Sequence, residues 1–202
     1  LFQGMGEETD DLNGHFGFRP DKVDYLILSH AHIDHCGLIP RLVAEGFKGT
    51  IFSTAPTMDL ARILLNDSAH IQEQDAEFEN KGRAKRGMPA IEPLYTENDV
   101  MEALRLFKIV DYNEDYEIDS RITLRLTDAG HILGSAAVHL TVLEDGKFNR
   151  ITFSGDVGRY GDPMLQNPQT FDQADYVLLE STYGDSLHKD LEAIEGQLQE
   201  VI

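Results

Sequence analysis

The stretch VDYLILSHAHIDHCG, residues 23–37, sets the strongest constraint on what this chain can fold into. VDYLILS has the continuous apolar character of a buried strand, and it runs directly into three histidines and an aspartate within six positions. A metal bound by imidazole and carboxylate needs several donors converging on one point, which is easiest where a strand ends and the chain turns tightly. His30 and His32, two apart, can point the same way from an extended backbone, while Asp34 and His35 fall on the turn that follows. One motif can therefore address two neighbouring metals. A polar loop whose histidines merely hydrogen-bond accounts for one such residue, not for this cluster.

Four ligands do not complete a two-metal site, and further candidates stand at later strand ends. DAGHILGS supplies His131 among glycines, whose small size lets backbone come close to a metal centre, and FSGDVGR supplies Asp156 straight after an apolar strand. Either residue alone would more often be a turn residue; their joint occurrence in this order carries the argument. A carboxylate can bridge two cations, the role read here for Asp156.

ITLRL (122–126) and AVHLTVL (137–143) alternate like half-buried strands, and RITFSGD and DYVLLES are two further short strand candidates. TENDVMEALRLF opens with Thr96 and Asp99 in capping-box spacing, and Val100, Ala103, Leu104 and Phe107 then form one apolar stripe, so a helix is expected. HKDLEAIEGQLQEVI carries Leu191, Ile194, Leu198 and Val201 at near-helical spacing with no C-cap signal, so the chain is expected to stop inside a helix. The opening LFQG has no cap or strand lead-in and reads as native sequence rather than a protease-site remnant. With no internal repeat or low-complexity linker, one α/β unit follows.

Composition narrows the function classes. A formal charge of −19 over 202 residues argues against broad, non-specific binding to nucleic acid, because acidic faces repel phosphates. The exception is KGRAKRG (81–87), four cations among seven residues, which by itself reads as a solvated loop. No apolar stretch approaches the roughly 18 residues of a membrane span, and the start lacks the basic head and apolar run of a secretory signal, so an intracellular, cytoplasmic protein is expected. The single cysteine, Cys36, fits a reducing compartment and reads as a small, partly buried free thiol. His139 sits mid-strand and reads as a structural or surface residue; His15, His70 and His188 receive no ligand assignment.

LFQG, LSHAHIDHCGLIPRL, PLYTENDV, DAGHILGSA, FSGDVGR and LLESTYGD together resemble the metallo-β-lactamase superfamily, and within it the β-CASP branch of nucleases that process RNA. The resemblance implies a four-layer αββα sandwich spanning residues 1–185, incomplete at both ends. The β-CASP cap would be absent, and residues 186–202 would begin the helix leading into it. By that match His30, His32 and His131 would hold a first zinc, Asp34 and His35 a second, and Asp156 would bridge them. Asp34, Asp156 and Glu180 would form the catalytic carboxylates, Glu180 matching an acidic motif that in the family orients a later histidine acting as general acid. That later histidine and the last metal ligand fall outside this sequence, which therefore looks like an internal fragment, and activity of the piece alone is not implied.

The implied function is two-metal hydrolysis of phosphodiester bonds in single-stranded RNA, endonucleolytic with 5′ trimming as an added mode. Two cations roughly 3.5–4 Å apart would hold a bridging hydroxide and stabilise the pentavalent phosphate. Zn²⁺ suits the imidazole-rich donor set, Mn²⁺ is the second choice and Mg²⁺ fits poorly. In the family's layout the KGRAKR run lies in an insertion, which makes Lys81, Arg83, Lys85 and Arg86 candidates for tracking RNA phosphates. A homodimer stays open. The competing readings are another lactamase-fold hydrolase, acting on DNA, a thioester, a lactone or a β-lactam, and a non-catalytic RNA-processing scaffold subunit.

Overall fold

Residues 12–186 are described by a computed structural model, so LFQG and the expected C-terminal helix lie outside the described residues. The chain builds two sheets. The first joins β1 (Tyr25–Ile27), β2 (Thr50–Ser53) and β3 (Phe107–Ile109) in parallel, with Leu26 opposite Ile51 and Ile51 opposite Phe107. Parallel neighbours require crossover connections. Here these are helices: α1 (Ile33–Cys36) and α2 (Ile39–Ala44) lead from β1 to β2, and α3 (Ala55–Lys85) and α4 (Glu97–Leu104) lead from β2 to β3.

The second sheet has the order β4 (Tyr116–Asp119), β5 (Ile122–Asp128), β6 (Ala136–Glu144), β7 (Lys147–Phe153) and β8 (Tyr176–Leu178). β4 to β7 run antiparallel, and β8 joins β7 in parallel. This explains why β1 reads as a continuous apolar run while β5 and β6 alternate: helices cover one side of the first sheet, whereas the second has a polar outer face.

Adjacent residues of β2 separate two cores. Ile51 packs with Leu65, Tyr95, Val100 and Ala103 beneath the helices, while Phe52 turns the other way, onto Leu124, Leu126 and Val138 of the second sheet. The outer face of that sheet presents Arg125, His139, Thr141 and Thr152 to a cavity of about 500 Å³. Three of the four expected layers, one of helices and two of strands, are thus built by the described residues.

Two expectations are corrected. Thr96 and Asp99 do form the capping box, with the Thr96 N–H donating to Asp99 Oδ2 at 2.8 Å and the Asp99 N–H to Thr96 Oγ1 at 3.3 Å. However, α4 ends at Leu104, and Phe107 starts β3, because parallel pairing with Ile51 claims its backbone. KGRAKRG is not a loop: α3 runs through Lys85, with Lys81 2.9 Å from Glu77 and Arg83 3.4 Å from Glu79 one turn earlier. Such i,i+4 pairs, and cations at the negative end of the helix dipole, favour continuing the helix. No helix among the described residues is long and apolar enough to cross a membrane.

Candidate metal centre

The centre forms where the two sheets meet. Beyond β1 the Leu28 N–H still donates to Phe52 O, and the Ser29 carbonyl accepts from Ala136 N–H at 2.8 Å, tying the end of the first sheet to the start of β6. His30 follows, fully buried, with its Nδ1 3.1 Å from Ser29 Oγ, which leaves Nε2 facing inward. The chain then turns into α1, and the His35 and Cys36 N–H groups both donate to His32 O. This places His32, Asp34 and His35 around the turn.

His131 is fixed from the other sheet. Ser135 Oγ accepts from the N–H groups of His131 and Ile132, and Asp128 Oδ1 accepts from Gly130 N–H. Gly134 closes this loop at φ +83, and its carbonyl accepts from Thr54 Oγ1 at 2.7 Å and Thr57 Oγ1 at 2.8 Å. A Cβ on Gly134 would stand 2.5 Å from Thr57 N, so only glycine lets the loop rest on the start of α3. Asp156 is carried on the segment after β7, where Val157 N–H donates to Glu180 Oε1 at 2.8 Å.

Four donor atoms converge from these segments. His32 Nδ1 lies 3.1 Å from His30 Nε2 and 3.1 Å from His131 Nε2. Asp156 Oδ2 lies 3.6 Å from His30 Nε2 and 3.4 Å from His131 Nε2, and one donor atom from each of the four residues falls within 4.8 Å of the others. The second oxygen, Asp156 Oδ1, is 3.4 Å from His35 Nε2, which is itself 3.5 Å from Asp34 Oδ2. One carboxylate thus faces two donor groups. Donors around a tetrahedral ion with bonds of about 2.0–2.1 Å stand roughly 3.3 Å apart, so the spacing and the nitrogen-rich chemistry both fit a divalent ion of zinc type.

Burial, and then the neighbouring His35, His32 and His131, hold the His30 pKa down to about 3, and burial also lowers that of His131. Both rings are therefore neutral near pH 7, the form that offers a lone pair to a metal. Glu180 is held below the usual carboxylate range chiefly by the Val157 N–H.

Residues 4–189 match the family profile of the metallo-beta-lactamase superfamily. The chain belongs to this superfamily. It is 33% identical over 189 residues to a protein of Thermus thermophilus named ribonuclease TTHA0252, covering 94% of this chain and 38% of that protein. It is 34% identical over 188 residues to transcription termination factor FttA of Pyrococcus horikoshii, covering 91% of this chain and 26% of the other. An RNase J-like protein of Methanocaldococcus jannaschii is 34% identical over 166 residues, or 82% of this chain and 33% of its own length. The chain thus spans between 26% and 38% of these relatives.

Within this metallo-β-lactamase domain the remaining candidates fall elsewhere. Cys36, expected to be partly buried, is fully buried; its Sγ donates to Ala31 O at 3.2 Å, and burial pushes the thiol up to about 12, so it offers no thiolate. His139 stands between Thr127 Oγ1 at 2.8 Å and Thr152 Oγ1 at 3.0 Å. His70 pairs with Glu97 on the helical side, His15 is exposed, and His188 lies outside the described residues. Lys81, Arg83, Lys85 and Arg86 occupy the far end of α3, whose start touches the His131 loop; at 1.5 Å per residue they stand about 40 Å from it.

Several supporting residues were not singled out from sequence: Ser29, Asp128, Ser135 and the Thr54–Thr57 pair. Asp128 had a visible signal, since Asp-x-Gly favours a side chain bonding its own backbone two residues on. The long-range contact of Thr54 and Thr57 with Gly134 had none.

Proposed function

We propose that the protein carrying this chain is a metal-dependent ribonuclease that hydrolyses phosphodiester bonds of single-stranded RNA. The observation that supports it most is Asp156, whose two oxygens face separate donor groups, His30/His32/His131 on one side and Asp34/His35 on the other. The names of two relatives, a ribonuclease and an RNase J-like protein, point the substrate towards RNA. Two divalent ions held there, Zn²⁺ first and Mn²⁺ second, would lower the pKa of a nucleophilic water and neutralise charge developing on the phosphate.

The residues of the chain have distinct parts in this reading. His30, His32 and His131 supply neutral nitrogen donors, and the Ser29 and Ser135 hydroxyls set the orientation of the residues that carry them. Asp34 and His35 supply the second group, and Asp156 links both. Glu180 is a positioning residue: its two oxygens accept from Val157 N–H and Thr182 N–H, which holds the segment bearing Asp156 in place. A scaffold role without catalysis is disfavoured because all six donor residues are retained.

The test is cleavage of end-labelled single-stranded RNA and DNA by the natural full-length protein in Zn²⁺ buffer, with Asp156→Ala as control. RNA cutting that the substitution abolishes is expected. If neither polymer is cut, or if the variant cuts as well as wild type, the ribonuclease reading fails.

A further inference from the structure

A cleft of about 420 Å³ opens directly beside the centre, sharing His131, Asp156 and Glu180 with it and extending to Arg159, Asp162 and Tyr183. Arg159 is exposed and follows Asp156 by three positions, so their Cα atoms lie within about 10 Å. Its guanidinium has no hydrogen-bond or ion-pair partner among the described residues. Other arginines find carboxylates, Arg19 with Asp21, Arg62 with Asp59 and Arg105 with Glu102, and Arg86 bonds the Gly82 carbonyl; what sets Arg159 apart is its place in the cleft beside Asp156. Asp162 lines the same cleft, yet its Oδ1 is occupied by the Met164 and Leu165 N–H groups. In a chain of net charge −19, a cation left without a carboxylate beside the reacting centre is suited to an anion from outside.

The backbone at its base is held firmly. Gly158 N–H donates to Ala129 O at 2.8 Å, and a Cβ on Gly158 would stand 1.6 Å from Gly130 O. The Asp156–Arg159 segment is therefore pressed against the His131 loop, and only glycine permits that approach. Arg159 starts from a fixed point relative to two of the metal-site residues while its side chain stays available. Tyr183, 57% exposed, gives the same cleft an aromatic surface.

We infer that this cleft seats the nucleotide adjoining the cleaved linkage, with Arg159 gripping its phosphate and Tyr183 stacking on its base. The inference rests on the ribonuclease reading and adds a substrate subsite to it. A guanidinium fork matches phosphate geometry in two-point contact, and stacking on tyrosine accepts any base, so the subsite fixes position with little sequence preference.

The experiment uses the natural full-length protein and its Arg159→Ala, Arg159→Lys, Tyr183→Leu and Tyr183→Phe variants. Bound metal, binding of a cleavage-resistant phosphorothioate RNA strand across a salt series, and cutting of ordinary RNA are measured. Arg159→Ala is expected to weaken RNA binding about ten- to a hundredfold and to flatten the log–log salt slope by about 0.7, with bound metal unchanged. Arg159→Lys should keep the slope but recover only part of the affinity. Tyr183→Leu should weaken binding at least about fivefold without altering the slope, and Tyr183→Phe should bind as wild type.

Unchanged affinity and slope in Arg159→Ala, with wild type still cutting RNA, overturns the inference and leaves the ribonuclease reading standing. Loss of metal in both Arg159 variants also overturns it, since Arg159 would then support the centre itself. A wild type that cuts no RNA overturns both.

Discussion

His131 and His139 sit at opposite ends of one stretch of chain, both partly buried and both held below the ordinary imidazole pKa by that burial. Their ring nitrogens have different partners. His139 meets a threonine hydroxyl on each side, Thr127 and Thr152, and hydroxyls can donate or accept as the ring requires, so its bonding is complete. His131 Nε2 instead faces His32 Nδ1 and Asp156 Oδ2, and His32 Nδ1 also faces His30 Nε2. Neutral imidazoles and a carboxylate crowded together have more lone pairs than protons to share, which is what a cation resolves. Burial and a lowered pKa thus do not mark a ligand; unfinished bonding does.

The largest effect expected from this contrast is at the shared carboxylate. Asp156→Ala should reduce RNA cutting on the order of a thousandfold or more and lower bound metal, read by single-turnover cleavage and elemental analysis. His131→Ala should weaken metal binding by at least about tenfold in chelator competition, whereas His139→Ala should leave metal content intact. Equal metal loss in the two variants would break the comparison.

The metal-free protein gives a sharper view of His30. Its folded pKa of about 3 lies below the unfolded value near 6.5, so the stability this group contributes is fully present above about pH 6.5. As pH falls towards 3 the unfolded chain takes up a proton that the folded chain refuses, and stability drops by up to about 1.4 kcal/mol per pH unit. Urea midpoints in chelator across that window test the sign; a rise on acidification would contradict a buried neutral ring.

His139→Leu should cost about 1–3 kcal/mol of stability, because Thr127 and Thr152 lose their partner, while cutting stays within about twofold. The smallest effect is expected from reversing Lys81, Arg83, Lys85 and Arg86 together. Cutting of a short RNA should be unchanged, and a changed salt dependence on long RNA would extend the strand's path to the end of α3.

Much of this centre is legible in the sequence because its candidate donor residues are local. HAHIDH packs four donors around one strand end, and the small residues around His131 and Asp156 mark turns where backbone can approach. β1 and β5 to β8 are equally visible through alternation and apolar runs, whereas the short β2, β3 and β4 carry no such pattern. What stays hidden depends on contacts between distant segments or successive turns: Phe107 is drawn into β3 by pairing with Ile51, and the basic run is drawn into α3 by Glu77 and Glu79 one turn back. The Gly134 contact with Thr54 and Thr57 joins residues far apart in the chain, and no local pattern announces such a pair.

The buried Cys36 has a practical corollary. These 202 residues hold one thiol, and it is closed off from solvent and kept protonated. Alkylating dyes and mild oxidants should therefore pass this domain by, so a cysteine installed at Arg159 or Tyr183 would be its one reactive handle. Spectroscopic distances between a tethered probe there and a labelled RNA could then be recorded without background from the domain itself.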